Sequence, residues 1–108
     1  MLVVALVDDL MDRSRIGAAA PDVTFARDAG AAAGADVVVV DLVRYGSAVA
    51  ALRAAAPHAR VVAFGPHVDD AALARATADG ADAAVARSVF FRDAARLMLG
   101  GSGHDRSE

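Results

Sequence analysis

The chain contains no cysteine, lysine, asparagine, glutamine or tryptophan. Without cysteine there is no disulfide framework and no thiolate metal site. Without lysine, all 11 basic side chains are arginines, scattered singly from Arg13 to Arg106 in a chain of net charge −3. A nucleic-acid footprint normally needs a basic stripe, so no nucleic acid partner is expected. No apolar run is long enough to cross a bilayer. The longest at the N-terminus, Met1–Val7, is too short, lacks a charged n-region and is followed at once by Asp8-Asp9, so it does not read as a signal peptide. A cytoplasmic protein without membrane contact is the expectation. Isoleucine occurs once, at Ile16, and alanine is abundant, a composition typical of a GC-rich genome. Arginine where lysine might stand is therefore weak functional evidence.

What is present suits a single domain. The chain has 108 residues, 56% of them apolar, enough for a core without staples. Five apolar runs stand out: Leu2–Val7, Val23–Ala26, Asp36–Val40, Arg60–Phe64 and Ala83–Ala86. Val37-Val38-Val39-Val40 is continuous rather than alternating, the mark of a strand buried on both faces. Helical segments fall between the runs: Met11–Ala19, Asp28–Ala33, Ser47–Ala56, Asp69–Asp79 and Ser88–Leu99. Ser47, Asp69 and Ser88 are expected N-caps, and Gly80 and Gly100 are expected stops. Residues 1–100 thus read as one domain, and the polar tail 101–108 as disordered.

Five strand-helix repeats imply right-handed crossovers and a parallel sheet. The expected class is α/β, a flavodoxin-like (βα)5 three-layer sandwich with strand order 2-1-3-4-5. In such sheets the functional site lies at the carboxyl ends of the strands, where strands 1 and 3 part. Asp8 and Asp9 close the first strand and Asp41 follows the third. Clustered acids repel one another, and a hard divalent cation relieves that repulsion. The competing reading makes Asp8 or Asp9 a helix cap and leaves Asp41 in a solvated loop.

Specific residues resemble the receiver domains of bacterial response regulators, the CheY-like family. Val7-Asp8-Asp9, followed by Arg13 and Ile16, resembles the family's opening motif. Asp36–Asp41 resembles its third strand, and Gly80-Ala81-Asp82-Ala83 its turn before strand 5. The likeness covers nearly all of Met1–Leu99. It implies that Asp8, Asp9, Asp41 and the Val43 backbone carbonyl hold Mg²⁺. It implies that Asp41 accepts a phosphoryl group from a histidine kinase. Two elements depart from the family. Gly65 stands where a Ser or Thr hydroxyl belongs, and Ala84 stands where an aromatic side chain would swing. Arg87 takes the place of the family lysine, and one expectation is that it pairs bidentately with Asp41. His67, beyond Gly65, aligns with a position that modulates water access.

The last helix carries Phe90, Phe91, Leu97, Met98 and Leu99 over more than one face, which suggests a homodimer patch. No glycine-rich phosphate loop, G-x-S-x-G elbow or D-x-D opening occurs, so the chain does not read as an enzyme. Two readings follow. One is a stand-alone atypical receiver phosphorylated on Asp41. The other is a pseudo-receiver, a protein-interaction module independent of phosphorylation.

Overall fold

Four consecutive valines, Val37 to Val40, are buried at the centre of a five-stranded parallel sheet. The computed structural model describes residues 1–66 and 69–100; His67 and the tail 101–108 lie outside the described residues. The strands are β1 (Val3–Leu6), β2 (Thr24–Phe25), β3 (Val37–Asp41), β4 (Arg60–Gly65) and β5 (Ala83–Ala86), in the order β2-β1-β3-β4-β5. Every pairing is parallel. The helices are α1 (Leu10–Ala19), α2 (Leu42–Tyr45), α3 (Val49–Ala55), α4 (Asp70–Ala78), α5 (Arg87–Arg92) and α6 (Ala94–Leu99). This is the three-layer α/β sandwich and strand order expected from the periodicity.

Alternate strand residues feed two cores, because successive side chains point to opposite faces. Val4, Leu6, Val38, Val40, Val61 and Ala63 pack with Val49 and Leu52 of α3 and Ala76 of α4. On the other face Val3, Ala5, Val7, Val39, Val62 and Phe64 pack with Ile16 of α1, Phe90 of α5 and Leu97 and Met98 of α6. Register places Leu6 beside Val40, and Asp41 beside Phe64. The carboxyl ends of β1, β3 and β4 therefore sit side by side.

Three helical expectations are revised. Ser47 is not a cap: it lies in a 3₁₀ turn, Gly46–Ala48, and α3 starts at Val49 with no side-chain cap. The chain turns helical earlier, at Leu42, because the Asp41 carboxylate caps α2 directly. Asp28 caps only a 3₁₀ turn, Ala29–Ala32. The final helix breaks at Asp93 (φ −125°, ψ 31°), and Ser88 caps nothing. The break lets Phe90 from α5 and Leu97 and Met98 from α6 all face inward. The expected surplus of apolar surface is consumed there. Of the residues held to form a dimer patch, only Leu99 is exposed, at 64%.

Gly80 is required by geometry. Its φ is +119°, and a Cβ there would come within 2.9 Å of the Arg53 side chain. Arg53 in turn donates to the Gly80 carbonyl and to the Asp82 carboxylate, which ties α3 to the turn before β5.

Candidate functional site

Asp41 ends β3 and is buried, at 7% exposure. Its Oδ1 accepts the Val43 N–H at 3.0 Å, an N-cap interaction that fixes α2. Burial pushes its pKa above the ordinary 3.8. The Val43 N–H opposes that shift, the charge on Asp12 adds to it, nearby Arg87 opposes it, and Asp8 adds to it. An acid in this position is costly to ionise.

Asp12, which sequence reasoning did not single out, is the other buried carboxylate among the described residues, at 2% exposure. Arg87 grips it with a two-pronged fork, Nη1 to Oδ2 at 3.0 Å and Nη2 to Oδ1 at 2.6 Å. The expected Arg87–Asp41 pair is thus replaced by an Arg87–Asp12 pair. The reason is local: the Arg87 guanidinium lies over the rings of Phe64 and Phe91, at 5.8 and 5.3 Å, and that platform carries it to α1. One signal was available. Asp12 sits four residues before Ile16, on the inward stripe of α1.

Asp8 is held by other groups. Its Oδ1 accepts the Tyr45 hydroxyl at 2.6 Å, and its Oδ2 faces Arg44 Nη2 at 3.0 Å. Arg13 approaches at 3.8 Å while its Nε donates to the Val7 carbonyl. The Tyr45 hydrogen bond, together with the fields of Arg44, Arg27 and Arg13, lowers the Asp8 pKa against the opposing effect of burial. The same bond raises that of the Tyr45 hydroxyl. Asp9 is exposed and caps α1, its Oδ1 accepting the Asp12 N–H at 3.0 Å. Val43, whose carbonyl was the fourth expected metal ligand, lies in the first turn of α2 with its side chain exposed.

A divalent cation needs several free oxygens converging on one point. Among the described residues, no three His, Cys, Asp or Glu side chains stand where they could jointly hold a metal ion. Asp8 and Asp12 instead face guanidinium groups, which bring positive charge and donors but no ligand atoms. Of the residues expected to hold Mg²⁺, only Asp8 faces a guanidinium group, while Asp9 and Asp41 each accept one backbone N–H through Oδ1. No helix among the described residues is long and apolar enough to cross a membrane.

No protein-family model matches the chain, and no curated protein matches it by sequence. Solved structures do match in shape. A response regulator from Burkholderia pseudomallei, with a phosphorylated aspartic acid, a calcium ion and citrate, superposes with a TM-score of 0.79 at 17% identity, covering 95% of this chain and 69% of its own. A CheY-like receiver domain protein from Methanospirillum hungatei gives 0.78 at 13% identity, covering 95% and 94%. A receiver domain protein from Clostridium thermocellum gives 0.75 at 15% identity, covering 97% and 96%. The chain has the response-regulator receiver fold.

On that receiver frame, Gly65 ends β4 beside the site. A Cβ added there would meet Leu42 at 3.4 and 3.5 Å and Leu73 at 3.7 Å, ordinary contacts, and its φ is not positive. Neither space nor backbone conformation demands glycine, so lack of room for a β-carbon does not explain the absent hydroxyl. Ala84 pairs with Ala63 and packs, half-buried, on the α3 side of the receiver sheet.

The raised pKa of Asp41 carries a signed consequence. Its contribution to receiver stability is fully present below the unfolded value near 3.8 and is lost as pH rises through the raised folded value. Asparagine keeps an oxygen to cap α2 and has no charge to bury. Asp41→Asn is therefore expected to be more stable than the parent at pH 7, with the gain vanishing below about pH 4. Urea melts of both proteins across that range check it; a variant less stable at pH 7 would contradict it.

Proposed function

We propose that the chain is a pseudo-receiver: a receiver fold that works as a non-enzymatic protein-interaction module, without a metal-dependent phosphorylation switch. One observation carries this reading. Asp8 at the carboxyl end of β1 and Asp12 in the first turn of α1 meet the chain's own cations and donors, Arg87 on Asp12 and Arg44 with Tyr45 on Asp8. In a phosphorylatable site, phosphoryl transfer relies on positioning and charge neutralisation by the metal. Here guanidinium groups supply fixed positive charge instead. The departures at Gly65 and Ala84 point the same way, since neither can bind a phosphoryl oxygen or swing. A surface for contact lies around the site: Leu10, Met11 and Val43 are exposed at 79, 75 and 69%.

The second reading keeps Asp41 as a phosphoacceptor served by a histidine kinase, with Mg²⁺ held by Asp8, Asp9, Asp41 and the Val43 carbonyl. It is favoured by the place of Asp41, at the end of β3 beside two further acids whose fields it feels. Under that reading His67 would modulate water access and Arg87 would stand in for the family lysine.

Incubation of the purified chain with acetyl phosphate and Mg²⁺, followed by intact-mass measurement, separates the two. The pseudo-receiver is expected to stay unmodified over hours. A stoichiometric phosphate adduct that is absent in Asp41→Asn would overturn it in favour of the second reading.

A further inference from the structure

Beside the Arg87–Asp12 pair, Arg15 of α1 and Arg87, Ser88, Phe91 and Arg92 of α5 line an open cleft of about 370 Å³. The guanidinium of Arg15 lies 4.7 Å from the centre of the Phe91 ring, and that of Arg87 lies 5.3 Å from it. One ring thus gathers two cations, and Arg92 lines the same cleft. Among the described residues, Arg15 and Arg92 have no acid partner and no side-chain hydrogen bond; the ion pairs of this chain engage Arg13, Arg44, Arg53, Arg87 and Arg96 instead. Like charges held together repel. A chain of net charge −3 that places two unpaired cations, Arg15 and Arg92, beside the Asp12-paired Arg87 in one hollow holds a site that a polyanion would relax.

We propose that this cleft binds a small anion made of linked phosphates. The guanidinium groups of Arg15 and Arg92 suit phosphate, because each offers paired N–H donors that match its oxygens and stays charged at any physiological pH, while the Arg87 fork stays on Asp12. The Ser88 hydroxyl adds a neutral donor to the same wall. The volume is that of a small-molecule hollow rather than an extended groove, which favours a compact oligophosphate over an acidic peptide. The Phe91 ring is already occupied by Arg15 and Arg87, so it is not free to stack a nucleobase. Recognition therefore stops at the phosphates, and an inorganic chain and a nucleoside triphosphate should bind about equally.

The site uses neither Asp41 nor a divalent cation, so its test runs in Mg²⁺-free buffer and stands apart from the labelling experiment. Calorimetric titration of the full chain with inorganic tripolyphosphate, ATP and an acidic peptide at constant ionic strength compares the candidate ligands. Saturable binding of tripolyphosphate is expected, matched by ATP. Arg15→Ala/Arg92→Ala should weaken it at least tenfold, as loss of two charge-assisted contacts implies. Both residues are exposed, so unchanged melting curves should accompany the loss. Arg15→Lys/Arg92→Lys, which keeps the charge but not the fork, should fall between. Absence of saturable binding, binding indifferent to the alanine pair, a strong preference for ATP, or tighter binding of the peptide would each overturn the proposal.

Discussion

Replacing Arg87 with alanine is expected to destabilise the fold by about 3 kcal/mol, the low end for breaking a buried ion pair. For a domain of this size that lowers the melting temperature by roughly 10–20 °C. The cost comes from the residue left behind. Asp12 is 2% exposed, and both its oxygens are held by the Arg87 fork. Without the fork a charge stays buried with no counter-ion. Arg87 itself is half in solvent, with its side chain 47% exposed, so its own packing loss is small and the value falls at the low end. A double-mutant cycle isolates the pair. Asp12→Asn combined with Arg87→Ala should lose clearly less than the sum of the single changes. Additive losses would show that the two residues do not act as a unit.

The second large effect lies beneath that pair. Phe64→Ala is expected to cost about 3–5 kcal/mol, the range for deleting a buried aromatic side chain. Phe64 has no exposed surface. It stacks on Phe90 at 4.9 Å and meets Phe91 edge-on at 5.2 Å, an arrangement that adds to simple burial. It also lies beneath the Arg87 guanidinium, so truncation both opens a cavity and loosens the fork on Asp12. Phe64→Leu, which fills much of the space, should cost less. Guanidinium melts of both variants measure this, and an alanine variant within 1 kcal/mol of the parent, against the range given above, would contradict it.

The sheet could be read from the sequence because its physics is local. A continuous valine run has few alternatives to a strand buried on both faces, and β5 falls on Ala83–Ala86, the expected span. Asp69 caps α4 and Gly80 takes a positive φ as its residue type suggests. The placement of Asp8, Asp9 and Asp41 at the ends of β1 and β3 followed from strand order. Their partners did not follow. Asp12 and Arg87 are 75 positions apart, and nothing local distinguishes either from a solvated surface charge. Tyr45 reaches Asp8 across 37 positions, and does so only because Asp41 starts a helix at Leu42. Sequence reasoning placed that start at Ser47, since serine before an alanine-rich run is a good cap in isolation. The nearer carboxylate won, and the loop it shaped carries Arg44 and Tyr45 onto the acid meant for a metal. The split at Asp93 was hidden for a similar reason: apolar residues on several helix faces look like surplus until the helix bends.

Guanidinium groups already face Asp8 and Asp12 in the acid pocket. Mg²⁺ titration of the isotopically labelled chain, followed through the amide signals of Asp8, Asp9, Asp12 and Asp41, addresses this. These signals are expected to stay in place up to millimolar Mg²⁺, and to remain so after beryllofluoride is added. Saturable movement of the Asp8 and Asp41 amides with Mg²⁺ would mean that the cation displaces Arg44 and Tyr45, and the guanidinium-sealed pocket would have to be abandoned.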